Sequence, residues 1–511
     1  MLISIAILLF GMGFLIFALN VRKPEHAVFG YLMVWMLCPK WAHLSHLGID
    51  LPEQLTDSLF LSDFVNAIIA LGLLLVCLLR RPRATPRYVS SINCILGGFF
   101  LMTAVSLVSG LYFTLSPQSG LNIMDYYVRP SLSIVYDVIF GWAFIRYIDT
   151  QKKVERIFAC FVFSGAELVG EVITFYYFHL FPALGRHAIN PDGRFLSLTY
   201  LSFDTVGLVC VIAICSTLYF AITRKSMVML ALMFLMFLPI VATLERGPLS
   251  AAVLSLCAVG IFCLRLPKRY LKIILPIGLA GLLVFSLAIV HVGSNLNDLP
   301  RRINSSLGVA TVATSTLQES FFVRVGLWFR GIDIYWDNFP FGAGNHLVDY
   351  YMGQPVPAHF YGVLDGMAYS NYRGVVINGR LTNTHNAFLE FIIENGIFGI
   401  VMFGACLFAI WRQFHRFILA DHGASRLKDR GYIAQACIYA CMIGTAWRYF
   451  FEASDRLYFL LFAALTMISL FPNLDPRGKP RKPKPPAGAA RRSADDRGRG
   501  GAISSVGLPA V

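Results

Sequence analysis

Charge is what this sequence has least of. Aspartate, glutamate, lysine and arginine make up 14% of the 511 residues, while 57% are apolar. A soluble domain carries roughly 25% charged residues. The scarcity excludes a disordered chain, a fibrous protein and an ordinary soluble enzyme. The polar segments also lack cysteine: all 11 cysteines fall in apolar stretches, which argues against a disulfide framework and a thiolate metal site. The apolar runs lack the alternation of barrel strands. Leu71 to Leu79 and Met227 to Leu238 are continuous, so membrane-spanning helices are expected. No repeat of fixed period is present. The N-terminal apolar stretch has no cations before it; Arg22 and Lys23 follow it, which is the reverse of a cleavable signal. It reads as a first span with its N-terminus outside the cytoplasm.

What remains is a long series of apolar segments. A span needs about 20 apolar residues. Besides residues 1–20, spans are expected near 27–45, 59–79, 89–114, 131–148, 154–181, 197–222, 227–244, 249–264, 271–291, 386–410, 432–450 and 455–471. The expected architecture is an all-α polytopic bundle of 12–13 spans with one large outer, periplasmic loop containing amphipathic helices. Its parts are spans over 1–292, the loop over 293–385, further spans over 386–471 and a disordered basic cytoplasmic tail over 472–511.

The net charge is +14. The cations lie mainly in short links between apolar runs, which points to topology and anionic lipid rather than nucleic acid. Alternate links hold 30 of the 43 cations, which places that side in the cytoplasm. Of the 13 outer cations, all but Lys40 are arginines. Arginine's planar fork suits phosphate and carboxylate, although arginines at a membrane also snorkel and pair with acids.

The outer loop is too long for a simple connection. Within it a helix is expected over 316–338, with Phe321, Val325, Trp328, Ile332 and Tyr335 as one apolar stripe resting on the membrane interface. Three outer sites follow. Arg246 stands in the turn Thr243-Leu244-Glu245-Arg246-Gly247-Pro248, close to hydrocarbon, where a cation is costly. Arg324-Val325-Gly326-Leu327-Trp328 leads to Asn338-Phe339-Pro340-Phe341-Gly342-Ala343-Gly344, whose Gly342 and Gly344 permit close backbone approach to a ligand. Thr384-His385-Asn386-Ala387-Phe388-Leu389-Glu390 then opens a span, with Glu394, Gly396 and Gly399 following. An imidazole titrates near neutrality and suits a proton acceptor there, while a lone histidine at a helix entrance is ordinarily structural.

In this order the three sites resemble the bacterial O-antigen ligase and polymerase family, over roughly residues 190–410. The most specific part is the His-Asn-x-x-Leu-Glu segment, followed by Arg-x-x-x-Trp with its glycine turn. The resemblance implies a membrane glycosyltransferase that moves a glycan from undecaprenyl diphosphate to an acceptor hydroxyl at the periplasmic face of the inner membrane, without a metal or other cofactor. It implies that Arg246 and Arg324 hold the donor diphosphate and that His385 activates the acceptor. It assigns substrate contacts to Arg194, Trp328, Gly342, Gly344, Asn386 and Glu390. The implied partners are a lipid-linked oligosaccharide donor, a glycan or lipid-linked acceptor, membrane lipids, a flippase and a chain-length regulator. Glu245 departs from the family pattern, where the residue before the turn arginine is often small or hydroxylated, and a carboxylate there offsets part of the Arg246 charge. Attack opposite a leaving diphosphate predicts inversion. The alternative is a transporter or flippase of lipid-linked glycans, in which Glu167, Glu171, Asp137 and Asp204 form a proton or substrate path.

Overall fold

The computed structural model describes residues 2–21, 23–37, 61–80, 89–115, 128–148, 150–189, 193–200, 202–243, 245–264, 317–344, 347–352, 354, 384–419 and 426–450. The chain is an all-α helix bundle. Its helices are α1 (Leu2–Asn20), α2 (Glu25–Leu37), α3 (Leu61–Leu79), α4 (Val89–Thr114), α5 (Arg129–Tyr147), α6 (Gln151–Glu171, continuing as a π-turn over Val172–Tyr177), α7 (Pro182–Ala188) and α8 (Phe203–Arg224). There follow α9 (Met227–Leu235), α10 (Phe237–Ala242), α11 (Arg246–Cys263), α12 (Leu317–Asp337), α13 (Val348–Met352), α14 (Ala387–Leu419) and α15 (Arg426–Tyr449). The spans expected at 271–291 and 455–471, and the tail, lie outside the described residues. The second half of the span expected at 27–45 also lies outside the described residues, and the remaining expected spans fall on helices. Among the described residues four helices are long and apolar enough to cross a membrane: Gly97–Thr114, Gln151–Tyr177, Thr205–Arg224 and Ala387–His415.

Local chemistry sets the boundaries. Thr150, Ser202 and Ser226 each accept an N–H from three residues on, which starts α6, α8 and α9. Pro239 has no N–H to give the carbonyl four residues back, and the run expected as a single span over 227–244 divides at Met236 into α9 and α10. Lys225 ends α8 in the left-handed region, with φ of 52°.

The helices pack through small residues. A Cβ on Gly165 would stand 2.7 Å from Ala213 and from the Met236 methyl, and one on Gly444 would collide with Ser255 and Ala251 of α11. Close approach of this kind is how helices associate where lipid removes the hydrophobic drive between them. The outer surface is correspondingly apolar, with Leu9, Ile16, Leu101, Val108, Val228, Phe408 and Trp411 exposed. The described cysteines are free thiols, most of them buried.

The two ends of the bundle differ. At one, Arg80 donates to the Leu19 carbonyl, Tyr147 donates to the Arg80 carbonyl, and Lys153 reaches the Tyr147 carbonyl and lies 3.9 Å from Glu25. At the other, α6 ends beneath the segment 193–200. There Thr199 Oγ1 lies 2.7 Å from Glu167 and 2.9 Å from Glu171, and the Leu198 N–H donates to Glu171. The two glutamates, considered above as a transport path, thus tie this segment down. Phe195 N–H donates to the Ala242 carbonyl at the end of α10. The segment therefore fastens α6 to the turn that carries Arg246.

Candidate active site

The His385 turn is the most strongly specified part of this end. Asn386 caps α14: its Oδ1 accepts the Leu389 N–H at 3.0 Å, and its carbonyl accepts the first helical bond from Glu390 N–H. Thr384, fully buried, gives its N–H to Glu390 Oε1 at 3.0 Å, and its Oγ1 accepts the Asn386 N–H at 3.3 Å. His385 bridges these two anchored residues in the left-handed region, with φ of 48°. Histidine is one of the few side chains enriched there. The conformation is strained and persists because its neighbours over-determine it, a pattern that clusters at functional sites. The side chains of Asn386 and Glu390, both expected to contact substrate, are spent on shaping this turn.

Helix α12 is seated against the same turn through Gly331. A Cβ there would meet Thr384 Cγ2 at 3.0 Å and Ile393 Cδ1 at 2.9 Å. Arg324, Trp328 and Gly331 are spaced i, i+4, i+7 and share one side of α12. Arg324 is half-buried, two turns from the His385 turn along that side. The Trp328 ring lies 5.0 Å from that of Phe450, edge to face. Of the expected apolar stripe, Tyr335 is buried, Val325 and Trp328 are half-buried, and Ile332 is exposed. The packed face runs through Leu327, Gly331 and Ile334, whereas Ile332 is exposed together with Phe329 and Trp336. On a further side, buried Arg330 donates to the Tyr351 carbonyl at 3.5 Å and ties α12 to α13. Burial lowers the Arg330 pKa, and Asp333 and Asp337 offset part of that.

The glycine turn after α12 plugs into a break in α14. Gly396 has φ of 58° and ψ of −141°, which interrupts the helix. Ala343 N–H donates to the Ile393 carbonyl at 2.9 Å, Gly344 N–H to Glu394 at 3.1 Å, and Ile397 N–H to Pro340 at 2.9 Å. A Cβ on Gly396 would collide with the Pro340 carbonyl, and one on Gly344 would lie 2.9 Å from Gly110 of α4. Gly342 and Gly344, assigned above to a ligand, make their close approaches to α14 and α4 backbone. Gly396→Ala should cost about 1–3 kcal/mol in backbone strain and lower the unfolding temperature in detergent; an unchanged melt would show that this docking is not needed for the fold.

The third element is the Arg246 turn. Arg246 is the first residue of α11, and Glu245 is its N-cap without a capping side-chain bond. Pro248 falls in the first turn, as expected. The Glu245 carboxylate lies 3.9 Å from Arg194 Nη1, so the acid expected to offset Arg246 has Arg194 as a charge partner, and the pair links the segment 193–200 to this turn. The Arg246 side chain lies outside the described atoms. Among the described residues no group of three His, Cys, Asp or Glu is placed to hold a metal ion.

Residues 231–404 match the family model described as O-antigen ligase. This stretch is similar to the O-antigen ligase family. The match begins in α9, ends in α14, and takes in Arg246, Arg324 and His385; Arg194 and α15 lie outside it. No curated protein matches the chain. The match supports glycan transfer of the ligase or polymerase type, and the four apolar helices a membrane protein.

Gly331 escaped the sequence reading. Its only signal is a glycine inside an otherwise regular helix, and its partner, Thr384, lies more than fifty residues further along the sequence.

Proposed function

We propose that the chain transfers a glycan from undecaprenyl diphosphate to an acceptor hydroxyl at the periplasmic face of the inner membrane. The observation that carries this reading is the His385 turn: a histidine held at φ of 48° between two buried, hydrogen-bonded residues, against the helix that bears Arg324. The orientation is supported by the cations Arg80 and Lys153 gathering at the opposite end of the bundle, as cytoplasmic links should.

The chemistry proceeds by one displacement. The acceptor oxygen attacks the anomeric carbon and loses its proton to the His385 imidazole. The bond from that carbon to the phosphate oxygen breaks, and its electron pair leaves with the diphosphate, so the configuration inverts. Negative charge grows on the leaving oxygen, where fixed guanidinium groups stabilise it; losing one such contact typically costs ~3 kcal/mol. Arg246 and Arg324 have this role, and the positive end of the α11 dipole adds to it. Trp328 and the apolar faces around it offer stacking to a sugar ring or cover to the prenyl chain. The exposed apolar surface of the bundle provides the path along which the lipid reaches the site.

Polymerase and ligase differ only in the acceptor. The purified protein, given a lipid-linked repeat unit with and without a second lipid acceptor, should extend the glycan on its carrier as a polymerase, or move it to the second lipid as a ligase. A donor left intact under both conditions overturns the proposal. Glu167 and Glu171, the acids a transport reading would use, anchor the segment 193–200.

A further inference from the structure

Helix α12 carries a second apolar side, which is left uncovered. Phe329, Ile332 and Trp336 recur at i, i+3 and i+7, and all three are exposed, Trp336 by 65%. Phe339, in the turn that follows, continues the line, with its ring 5.7 Å from that of Trp336. Phe341, 56% exposed, ends it. This is not the stripe expected from the sequence, with which it shares only Ile332. The exposed carboxylate of Asp337 lies roughly a quarter-turn away from Trp336 around the helix, so the stripe itself is free of charge.

A contiguous exposed patch of large apolar side chains marks a contact with protein, ligand or membrane. The place where this stripe ends identifies the membrane. The turn that carries Phe341 does not stand clear of the bundle. Its Pro340 carbonyl accepts the Ile397 N–H at 2.9 Å, and its Ala343 N–H donates to the Ile393 carbonyl. The turn therefore lies beside residues 393–397, well inside the apolar run Ala387–His415, which is long enough to cross a membrane. Next to it on α4, Ser109 Oγ donates to the Gly342 carbonyl at 3.4 Å, within the apolar run Gly97–Thr114. Near these contacts both spans expose apolar side chains of their own: Ile397, Ile400 and Val401 on α14, and Tyr112 on α4. The stripe thus leads down to the flank of two spans, where lipid is the surrounding medium. Its composition fits that position, because tryptophan and other aromatic rings gather at the membrane boundary.

We propose that Phe329, Ile332, Trp336, Phe339 and Phe341 form an interfacial anchor, which enters the boundary between headgroups and acyl chains on the His385 side of the membrane. An apolar helix face of this kind lies in the plane of that boundary, with its rings in the lipid. The proposal goes beyond glycan transfer and holds whether or not transfer occurs. Around α12 the stripe and the side of Arg324, Trp328 and Gly331 are roughly a quarter-turn apart, so the anchor sets the height of Arg324 relative to the lipid.

The test uses the full-length protein in phosphatidylcholine nanodiscs, with no glycan donor present. The lipid is either plain or brominated in its acyl chains, near the headgroup or near the chain end, and bromine quenches tryptophan on contact. The chain has 7 tryptophans, so the Trp336 signal is the emission lost between the wild type and Trp336→Phe, a substitution that keeps an aromatic ring. That signal should fall most with bromine near the headgroup, less with bromine near the chain end, and little with dissolved iodide. Phe341→Trp adds a reporter at the other end of the stripe, and bromine in the lipid should quench its added emission more than iodide does. Either reporter quenched by iodide and spared by bromine places the stripe in water or against a soluble sugar and overturns the anchor. A reporter spared by both means that protein, such as a second copy of the chain, covers the stripe, which overturns it equally.

Discussion

His385→Ala should insert and accumulate as the wild type does and form essentially no transferred glycan. The expected loss is about 10²–10⁴ in rate, the contribution of a positioned general base. The argument rests on the division of labour within the turn. Thr384, Asn386 and Glu390 make the hydrogen bonds that hold the start of α14, so removing the imidazole leaves those bonds in place. Alanine tolerates a positive φ poorly, at roughly 1–2 kcal/mol, and His385→Asn, which suits that conformation, separates the two effects. It should restore the melting temperature and not the activity. Near-normal product from either variant would remove the proton-transfer role.

Arg324→Lys is expected to lose about 10²–10³ in transfer rate, although it preserves charge. In the proposed site Arg324, half-buried on the side of α12 that carries Gly331, gives two parallel N–H bonds to a phosphate, which lysine cannot do. Trp328 and Gly331 on the same side keep their packing whatever stands at 324, so folding should be unaffected. Single-turnover measurement with a lipid-linked donor checks the rate. A fully active lysine variant would show that position 324 supplies only surface charge.

The bundle was legible in the sequence because its signal is local: each apolar run of the right length marks a helix, and the starts at Thr150, Ser202 and Ser226 are written in single residues. The His385 turn was legible for the same reason, since Thr384, His385, Asn386 and Glu390 are near neighbours. What could not be read were meetings between distant segments. Gly342 read as a point of close approach to a ligand, and its close approach to Gly396 instead appears only when α14 breaks to receive the turn after α12. The aromatic spacing on α12 suggested a stripe on the membrane interface, and nothing in it pointed to the glycine that admits Thr384. Glu245 stood next to Arg246 in sequence and faces Arg194 in space.

The most direct measurement follows both products of one reaction. Purified full-length protein in nanodiscs, with no other protein present, is given a polyprenyl-diphosphate-linked glycan carrying a radiolabel in the sugar and a second label in the lipid. Sugar label should move to an acceptor while free polyprenyl diphosphate appears in equal amount, with inverted anomeric configuration in the new bond, and neither should occur with His385→Ala. Donor recovered intact from the wild type, or product formed with retained configuration, would contradict a histidine-assisted displacement of an arginine-held diphosphate.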